Sequence, residues 1–367
     1  MKAIDAERLR SIGMTPACLQ HVLQAPRDED ADPAPDDDSF EVMRITEVHR
    51  ETLQLHDGLR EHVARPLPRL TRALADRDTA LAVGDWACAQ RDAHGDWWVR
   101  RRIAPLTHLV RRDADGRRHP VASNVDTALL VMGLDDDFNL RRLERYLALV
   151  QASGVLPVVV LTKADAAPPG RIAAAIDEMR GRVAAAIDLV IVDARSDEAA
   201  ALLAPYVGAG QTLVLLGSSG AGKSTLTNTL AGAPLQDTGA VREHDSRGKH
   251  TTTSRSLHRL AGGACVIDTP GLRALRPDID EATLGASFAD IETLARHCRF
   301  RDCRHVDEPD CAVREGLPAD RLRNFHKLLR EARRDTMTVL ERQHIVAQWK
   351  ARGRAAHARA KAKRERA

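Results

Sequence analysis

The sequence predicts an α/β chain in three parts: a small N-terminal antiparallel β-barrel, a central domain around a mainly parallel sheet, and a C-terminal helical domain on a Cys/His cluster. Three observations carry this division. Short β-prone runs separated by turn residues follow Phe40. Wholly apolar runs alternate with helical periodicity through the middle of the chain. Beyond about residue 285, three cysteines and a histidine cluster ahead of a charged helical stretch.

At 367 residues the chain exceeds one typical domain. Residues 1–39 read as a helical leader followed by an acidic, proline-broken linker, DEDADPAPDDD at Asp28–Asp38, whose composition suits a solvated segment. The net charge of +3 conceals this run and its opposite, the basic tail Lys350–Ala367. That tail is either a solvated helix end or a phosphate-binding arm. No apolar stretch approaches the roughly 18–20 residues of a membrane-crossing helix, and MKAIDAERLRSIG lacks a signal-peptide core. A cytoplasmic location with reduced cysteines is expected. Cys18, Cys88 and Cys265 are scattered and read as small buried hydrophobes.

The barrel is placed at 40–115 on FEVMRITEV, ETLQLHDG, LAVGDWACAQ and GDWWVRRRI, with turns at Asp57-Gly58, Gly84-Asp85 and Gly95-Asp96. An OB-like barrel, a fold that commonly binds oligonucleotides, is the candidate. Trp86, Trp97 and Trp98 are either stacking platforms beside Arg100, Arg101 and Arg102 or core residues beside a solvated edge. Neighbouring Trp97 and Trp98 face opposite ways along a strand, so both are core only if both faces are covered.

The parallel-sheet domain is placed at 120–282. Thr127–Val131, Val155–Leu161, Leu189–Val192, Leu213–Leu216 and Cys265–Ile267 read as strands buried on both faces. Leu140, Leu143, Leu147 and Val150 recur at helical spacing, and the Ala-rich stretches 171–186 and 196–204 read as helices. Within this frame Gly217-Ser218-Ser219-Gly220-Ala221-Gly222-Lys223-Ser224-Thr225 follows a strand and opens a helix, matching the G-x-x-x-x-G-K-[ST] phosphate loop. Its glycines let backbone N–H groups curl toward phosphates at a helix N-terminus. Lys223 reaches the β/γ-phosphates, and Ser224 offers a hydroxyl to Mg²⁺.

A second motif, Thr162-Lys163-Ala164-Asp165, closes an apolar strand upstream of that loop. T-K-x-D is weak alone, but it stands at the carboxyl end of a buried strand, where open α/β sheets bind ligands. Asp165 can accept from guanine's ring N–H and exocyclic amine, a donor pair adenine lacks, with Lys163 along the base plane. Asp268-Thr269-Pro270-Gly271 follows another strand and offers Asp268 to Mg²⁺ through water and the Gly271 amide to the γ-phosphate. Between the two loops, RGKHTTT (Arg247–Thr253) supplies threonine hydroxyls, Thr252 among them, to the metal, in a segment of the kind a γ-phosphate orders. Leu272 stands where many small GTPases carry a water-orienting glutamine. His250 is the replacement candidate by type and place, the alternative being a contact to RNA or solvent.

Cys298-x4-Cys303-x-His305-x5-Cys311 offers three thiolates and an imidazole, the closed tetrahedral set that structural zinc prefers. Arg299, Arg301 and Arg304 interleave these ligands and either present positive charge to RNA or keep a small loop domain soluble. This domain is placed at 285–367, with helices from about residue 318 onward.

In chain order, T-K-x-D, the phosphate loop, H-T-T-T, D-T-P-G and the Cys/His cluster resemble the circularly permuted, ribosome small-subunit-dependent GTPases (RsgA/YjeQ). The likeness runs from about residue 40 to 330 and includes Ser123–Leu147 and the GDW of the barrel. It implies an RNA-binding OB-fold, a permuted GTPase domain holding GTP with Mg²⁺, and a zinc domain. It further implies GTP hydrolysis to GDP and phosphate in late small-subunit maturation, stimulated by the subunit, with that subunit and its rRNA as partners, no membrane, and a monomeric chain. Two departures stand out. Thr162 replaces the asparagine usual in G proteins generally, as in this family. Val192-Asp193-Ala194 stands where S-A is expected: the Ala194 amide is available to the guanine carbonyl, while Asp193 leaves that loop's base contact open. The competing readings are an RNA-binding scaffold with little hydrolysis and a metal-delivery GTPase; an ATPase fits Asp165 poorly.

Overall fold

A computed structural model describes residues 4–24, 40–113, 115–235, 255–269 and 276–336. The acidic linker, His250, Thr252, Gly271, Leu272 and the basic tail lie outside the described residues. The chain divides into two compact units, Met1–Asp278 and Ile279–Ala367.

The first unit begins with helices α1 (Ala6–Arg10) and α2 (Pro16–Gln24). They are more than a leader. Leu9, Ile12, Met14, Cys18 and Val22 share one apolar cluster with Val42, Trp86, Cys88 and Ile103 of the barrel. That barrel comprises β1 (Glu41–Val48), β2 (Leu53–His56), β3 (Glu61–Pro66), α3 (Pro68–Asp76), β4 (Trp86–Arg91) and β5 (Trp97–Arg102). Its strands close in the order β1-β2-β3-β5-β4-β1, antiparallel except for β3 with β5. This is the OB-like barrel expected from the turn-separated runs. The sequence reading missed β3 and α3, because EHVARP alternates poorly and ends in proline.

Trp86 is core, whereas Trp97 and Trp98 are half-buried. Trp98 donates to Asp92 (3.0 Å), and Trp97 tilts against His62 and lies under Arg91. Arg102 is held by Asp85 at 2.8 Å, so that charge is already neutralised.

A hairpin, β6 (His108–Arg112) and β7 (Arg118–Ser123), leads into the main sheet. There follow β8 (Thr127–Gly133), α4 (Leu140–Ala152), β9 (Leu156–Thr162), α5 (Arg171–Met179), β10 (Asp188–Ile191), α6 (Asp197–Leu203), β11 (Thr212–Leu216), α7 (Lys223–Ala231), β12 (Ser256–Arg259) and β13 (Cys265–Asp268). The sheet order is β10-β9-β8-β11-β13-β12, with only β12 antiparallel. β8 and β11 are buried at every position, as their unbroken apolar runs require. α5 is shorter than the Ala-rich stretch suggests and stops at Met179, two residues before Gly181 takes a left-handed φ of 76°. A short strand, β14 (Arg276–Pro277), returns to pair with β6, and Asp278 bonds Arg112 (2.6 Å) and Arg118 (2.7 Å).

Barrel and sheet meet where β1 pairs with β12 through Glu47 and Ser256. Beside that seam Arg44 is fully buried. Its guanidinium donates to Ile12 O (2.5 Å), Gly84 O (3.3 Å), Asn124 O (3.0 Å) and Thr212 Oγ1 (2.8 Å), joining the α1–α2 turn, the barrel and β11. A buried cation is tolerated only when its donors are so satisfied.

The second unit carries α8 (Glu281–Ser287), α9 (Ala289–Ala295), α10 (Ala312–Gly316) and α11 (Ala319–Thr336). Phe288 packs on Phe325 at 5.4 Å between centroids, and Arg321 covers Phe288 while forking onto both oxygens of Asp290 at 2.7 Å.

Candidate nucleotide site and candidate metal centre

The phosphate loop emerges from β11, between β8 and β13, and runs into α7. A Cβ at Gly217 would stand 2.4 Å from the Val131 carbonyl of β8, so only glycine lets the loop leave the sheet this closely. Gly222 takes φ 92° at the N-cap of α7, and its missing Cβ faces Thr162. Lys223 is buried and donates to Gly217 O (3.1 Å) and Ser218 O (2.7 Å), which folds the side chain back over its own loop. Burial lowers its pKa, opposed by the charges of Asp268 and Asp137.

Asp268 ends β13 in the same interior. Burial raises its pKa against the pull of Lys223. Its Oδ1 is buried without a hydrogen-bond partner among the described residues. A carboxylate oxygen left unpaired there fits a site that a hydrated cation would complete. Thr269, next in the chain, donates to Leu215 O at 2.7 Å and fixes the strand end against β11.

T-K-x-D closes β9, two strands from β11 with β8 between them. Thr162 is buried, and its hydroxyl donates to Ala221 O of the phosphate loop at 2.7 Å. A threonine here therefore clasps the phosphate loop directly. Lys163 takes a left-handed φ of 61° and pairs with Asp135 at 2.5 Å. Asp165 sits in the 3₁₀ turn Ala164–Ala166, which Ala164 anchors through a bond from its N–H to Val192 O (3.3 Å). The loop after β10 comes alongside: Ala194 is buried and its carbonyl accepts from Thr229 Oγ1 of α7 at 2.6 Å. The structure thus brings Thr162, Lys163, Asp165, Ala194, the loop 217–225 and Asp268 to the carboxyl ends of neighbouring strands.

Four participants escaped the sequence reading, Asp135 beside Lys163 among them. Asp137 accepts from Ser218 Oγ of the phosphate loop and from Arg142 at 2.5 Å, bracing the loop from the turn after β8. Arg195 pairs with Asp165 at 2.7 Å. The run Asp135-Asp136-Asp137 at a strand's carboxyl end was the available signal for Asp137; Arg142 and Arg195 left none.

In the second unit Cys298, Cys303, His305 and Cys311 place their ligand atoms within 4.8 Å of one another. The edges Cys303–Cys311 (3.6 Å), Cys298–Cys311 (3.9 Å), Cys298–His305 Nδ1 (3.6 Å) and Cys311–His305 Nδ1 (3.4 Å) approach those of a tetrahedron with bonds of about 2.3 Å to sulfur. The four therefore suit one metal ion. The His305 carbonyl lies 3.2 Å from His326 Nε2, and the Glu308 carboxylate accepts N–H bonds from Arg304, Val306 and Asp307, so the loop is fixed from both sides. Arg299, Arg301 and Arg304 are all exposed, and Arg299 is paired with an exposed Asp310 at 2.7 Å.

Comparison with known proteins decides the family. A family model described as RsgA GTPase matches residues 103–277. A small ribosomal subunit biogenesis GTPase RsgA from Xanthomonas campestris pv. campestris (strain B100) is 45% identical over 286 residues, 76% of each chain. The chain belongs to the RsgA GTPase family. Its namesake from Xanthomonas axonopodis pv. citri (strain 306) is 44% identical over 300 residues, 78% of this chain and 80% of that one. Among solved structures, YjeQ from Thermotoga maritima aligns with a TM-score of 0.57 at 21% identity, covering 80% of this chain and 98% of its own. YloQ, described as a circularly permuted GTPase, aligns at 0.53 and 22%, covering 86% and 100%. At that identity the likeness speaks for the fold of the RsgA family alone.

Proposed function

We propose that this chain hydrolyses GTP during late biogenesis of the small ribosomal subunit, stimulated by that subunit. The observation that carries the reading is the convergence of the phosphate loop and T-K-x-D at one end of the sheet, clasped by the bond from Thr162 to Ala221. The RsgA name of the relatives at 44–45% identity supports the ribosomal role.

Phosphoryl transfer demands neutralised charge and an oriented water. In this reading the 217–225 amides and Lys223 hold the phosphates, with Lys223 exchanging its two loop carbonyls for β/γ-oxygens. Ser224, Thr252 and Asp268, the last through water, hold Mg²⁺, which when bound offsets the charge that develops on the phosphate oxygens. Asp165 reads guanine, Lys163 lies along the base, the Ala194 amide meets the guanine carbonyl, and the Gly271 amide meets the γ-phosphate. His250 orients water in the subunit-bound state, since Leu272 cannot. Cys298, Cys303, His305 and Cys311 hold one zinc ion; four protein ligands leave no open position, so its role is structural. The assignments 40–115 to RNA binding, 120–282 to GTP and 285–367 to zinc, in a cytoplasmic monomer, complete the proposal.

The test is GTP turnover with and without purified small subunits across a salt series. Stimulation that weakens with salt is expected, because counterion release drives contacts to rRNA phosphates. Failure of subunits to stimulate at any salt would remove the ribosomal role. Unchanged stimulated turnover in His250→Ala would remove His250.

A further inference from the structure

Asp165 is not a free acceptor. Arg195, in the loop between β10 and α6, donates from Nη2 to Asp165 Oδ2 at 2.7 Å. The same guanidinium donates from Nε to Asp193 Oδ1 at 3.3 Å, and the Arg195 backbone N–H fixes that oxygen at 3.0 Å. A guanidinium presents donors in a planar fork that matches a carboxylate. Guanine presents a comparable pair, its ring N–H and exocyclic amine. Arg195 and guanine are therefore chemical rivals for Asp165, and both cannot use the same oxygen fully.

We propose that Arg195 is a built-in competitor of the guanine base, capping Asp165 when the base is absent and withdrawing onto Asp193 when it enters. This rests on the reading that Asp165 binds guanine. Asp193, where the loop departs from the expected S-A, thereby gains a definite role, because its carboxylate is already oriented by the Arg195 amide and receives the displaced cation. Arg195 and Asp193 then set nucleotide affinity in opposite directions without touching the phosphates. Arg195 lies at the surface, as does Asp165 in part, so the effect is bounded by what an exposed ion pair supports, about two- to fivefold in affinity.

The experiment is equilibrium and stopped-flow binding of ribose-labelled fluorescent GDP to the full chain, comparing wild type, Arg195→Ala, Asp193→Asn, the double variant and Asp165→Ala. Asn keeps an acceptor for the Arg195 amide while losing the charge. Arg195→Ala is expected to tighten GDP by about two- to fivefold, and Asp193→Asn to weaken it by a similar factor. The double variant should match Arg195→Ala, because Asp193 acts only through Arg195. High salt should shrink these differences, as it screens exposed charges. Weaker or unchanged binding in Arg195→Ala, or an Asp193→Asn loss that persists in the double variant, would overturn the proposal. Undiminished binding in Asp165→Ala would instead sink the guanine-reading assignment beneath it.

Discussion

The two ends of the nucleotide site are built in opposite ways. The phosphate end is interior: Lys223 is buried, Gly217 abuts the Val131 carbonyl, and Thr162 bonds Ala221. The base end is exterior and made of ion pairs, Lys163 with Asp135 and Arg195 with Asp165 and Asp193. Their acids shift in opposite senses. Burial lifts Asp268, while bonds from the Arg195 backbone and side chain lower Asp193. Burial would also raise Asp135, but the hydrogen bonds from Lys163 and the Asp137 N–H, with the charge of Lys163, outweigh it and lower that carboxylate. A preformed interior end gives the site its rigidity; on the proposed reading, the charge-paired surface end exchanges partners when the base enters.

The largest expected effect breaks the phosphate end outright. Lys223→Ala should cut GTP turnover about a hundredfold or more, the scale of losing one preorganised donor to developing charge. Steady-state phosphate release measures it, and near-normal turnover would contradict the chemistry assigned to this end. Thr162→Val comes next. It leaves the buried Ala221 carbonyl without its donor, at about 1–3 kcal/mol of stability. Denaturant unfolding should show that loss, and Thr162→Ser should recover most of it.

A smaller effect separates the shared scaffold from both ends. Burial, then Arg102 and Arg118, push the His108 imidazole down to about 4 from an ordinary 6.5. Between those values the unfolded chain binds the proton and the folded chain does not. The contribution of His108 is thus complete above about pH 6.5 and is lost as pH falls toward 4, about 2 kcal/mol after allowing for partial exposure. His108→Asn should flatten unfolding stability across that window while GDP affinity at neutral pH stays within twofold. The smallest effects are the two- to fivefold shifts foreseen at Arg195 and Asp193.

What the sequence disclosed follows the same division. The phosphate loop, T-K-x-D and the Cys/His set stand out in the sequence because their spacing is fixed: glycines for a tight approach, one lysine, three thiols and an imidazole that close on one another. β8 and β11 were readable because strands buried on both faces must be apolar throughout. Arg44 was not, since an arginine within VMRITE reads as solvated, and only the folded junction supplies its four acceptors. Leu9, Ile12 and Met14 looked like part of a leader because two short helices carry too little periodicity to announce the barrel they cover, whereas Cys18 is buried as expected. Arg195 lies thirty positions from Asp165, and no local pattern joins two loops that the sheet alone brings together.

The guanine assignment is most directly tested by one binding comparison, of GDP, ADP and xanthosine diphosphate with wild type and Asp165→Asn. Xanthine places a carbonyl where guanine has its exocyclic amine, so an asparagine amide can donate where the aspartate accepts. The account predicts that wild type prefers GDP over both rivals and that Asp165→Asn reverses the order between GDP and xanthosine diphosphate. Equal competition by ADP in wild type, or a GDP affinity indifferent to Asp165→Asn, would contradict it.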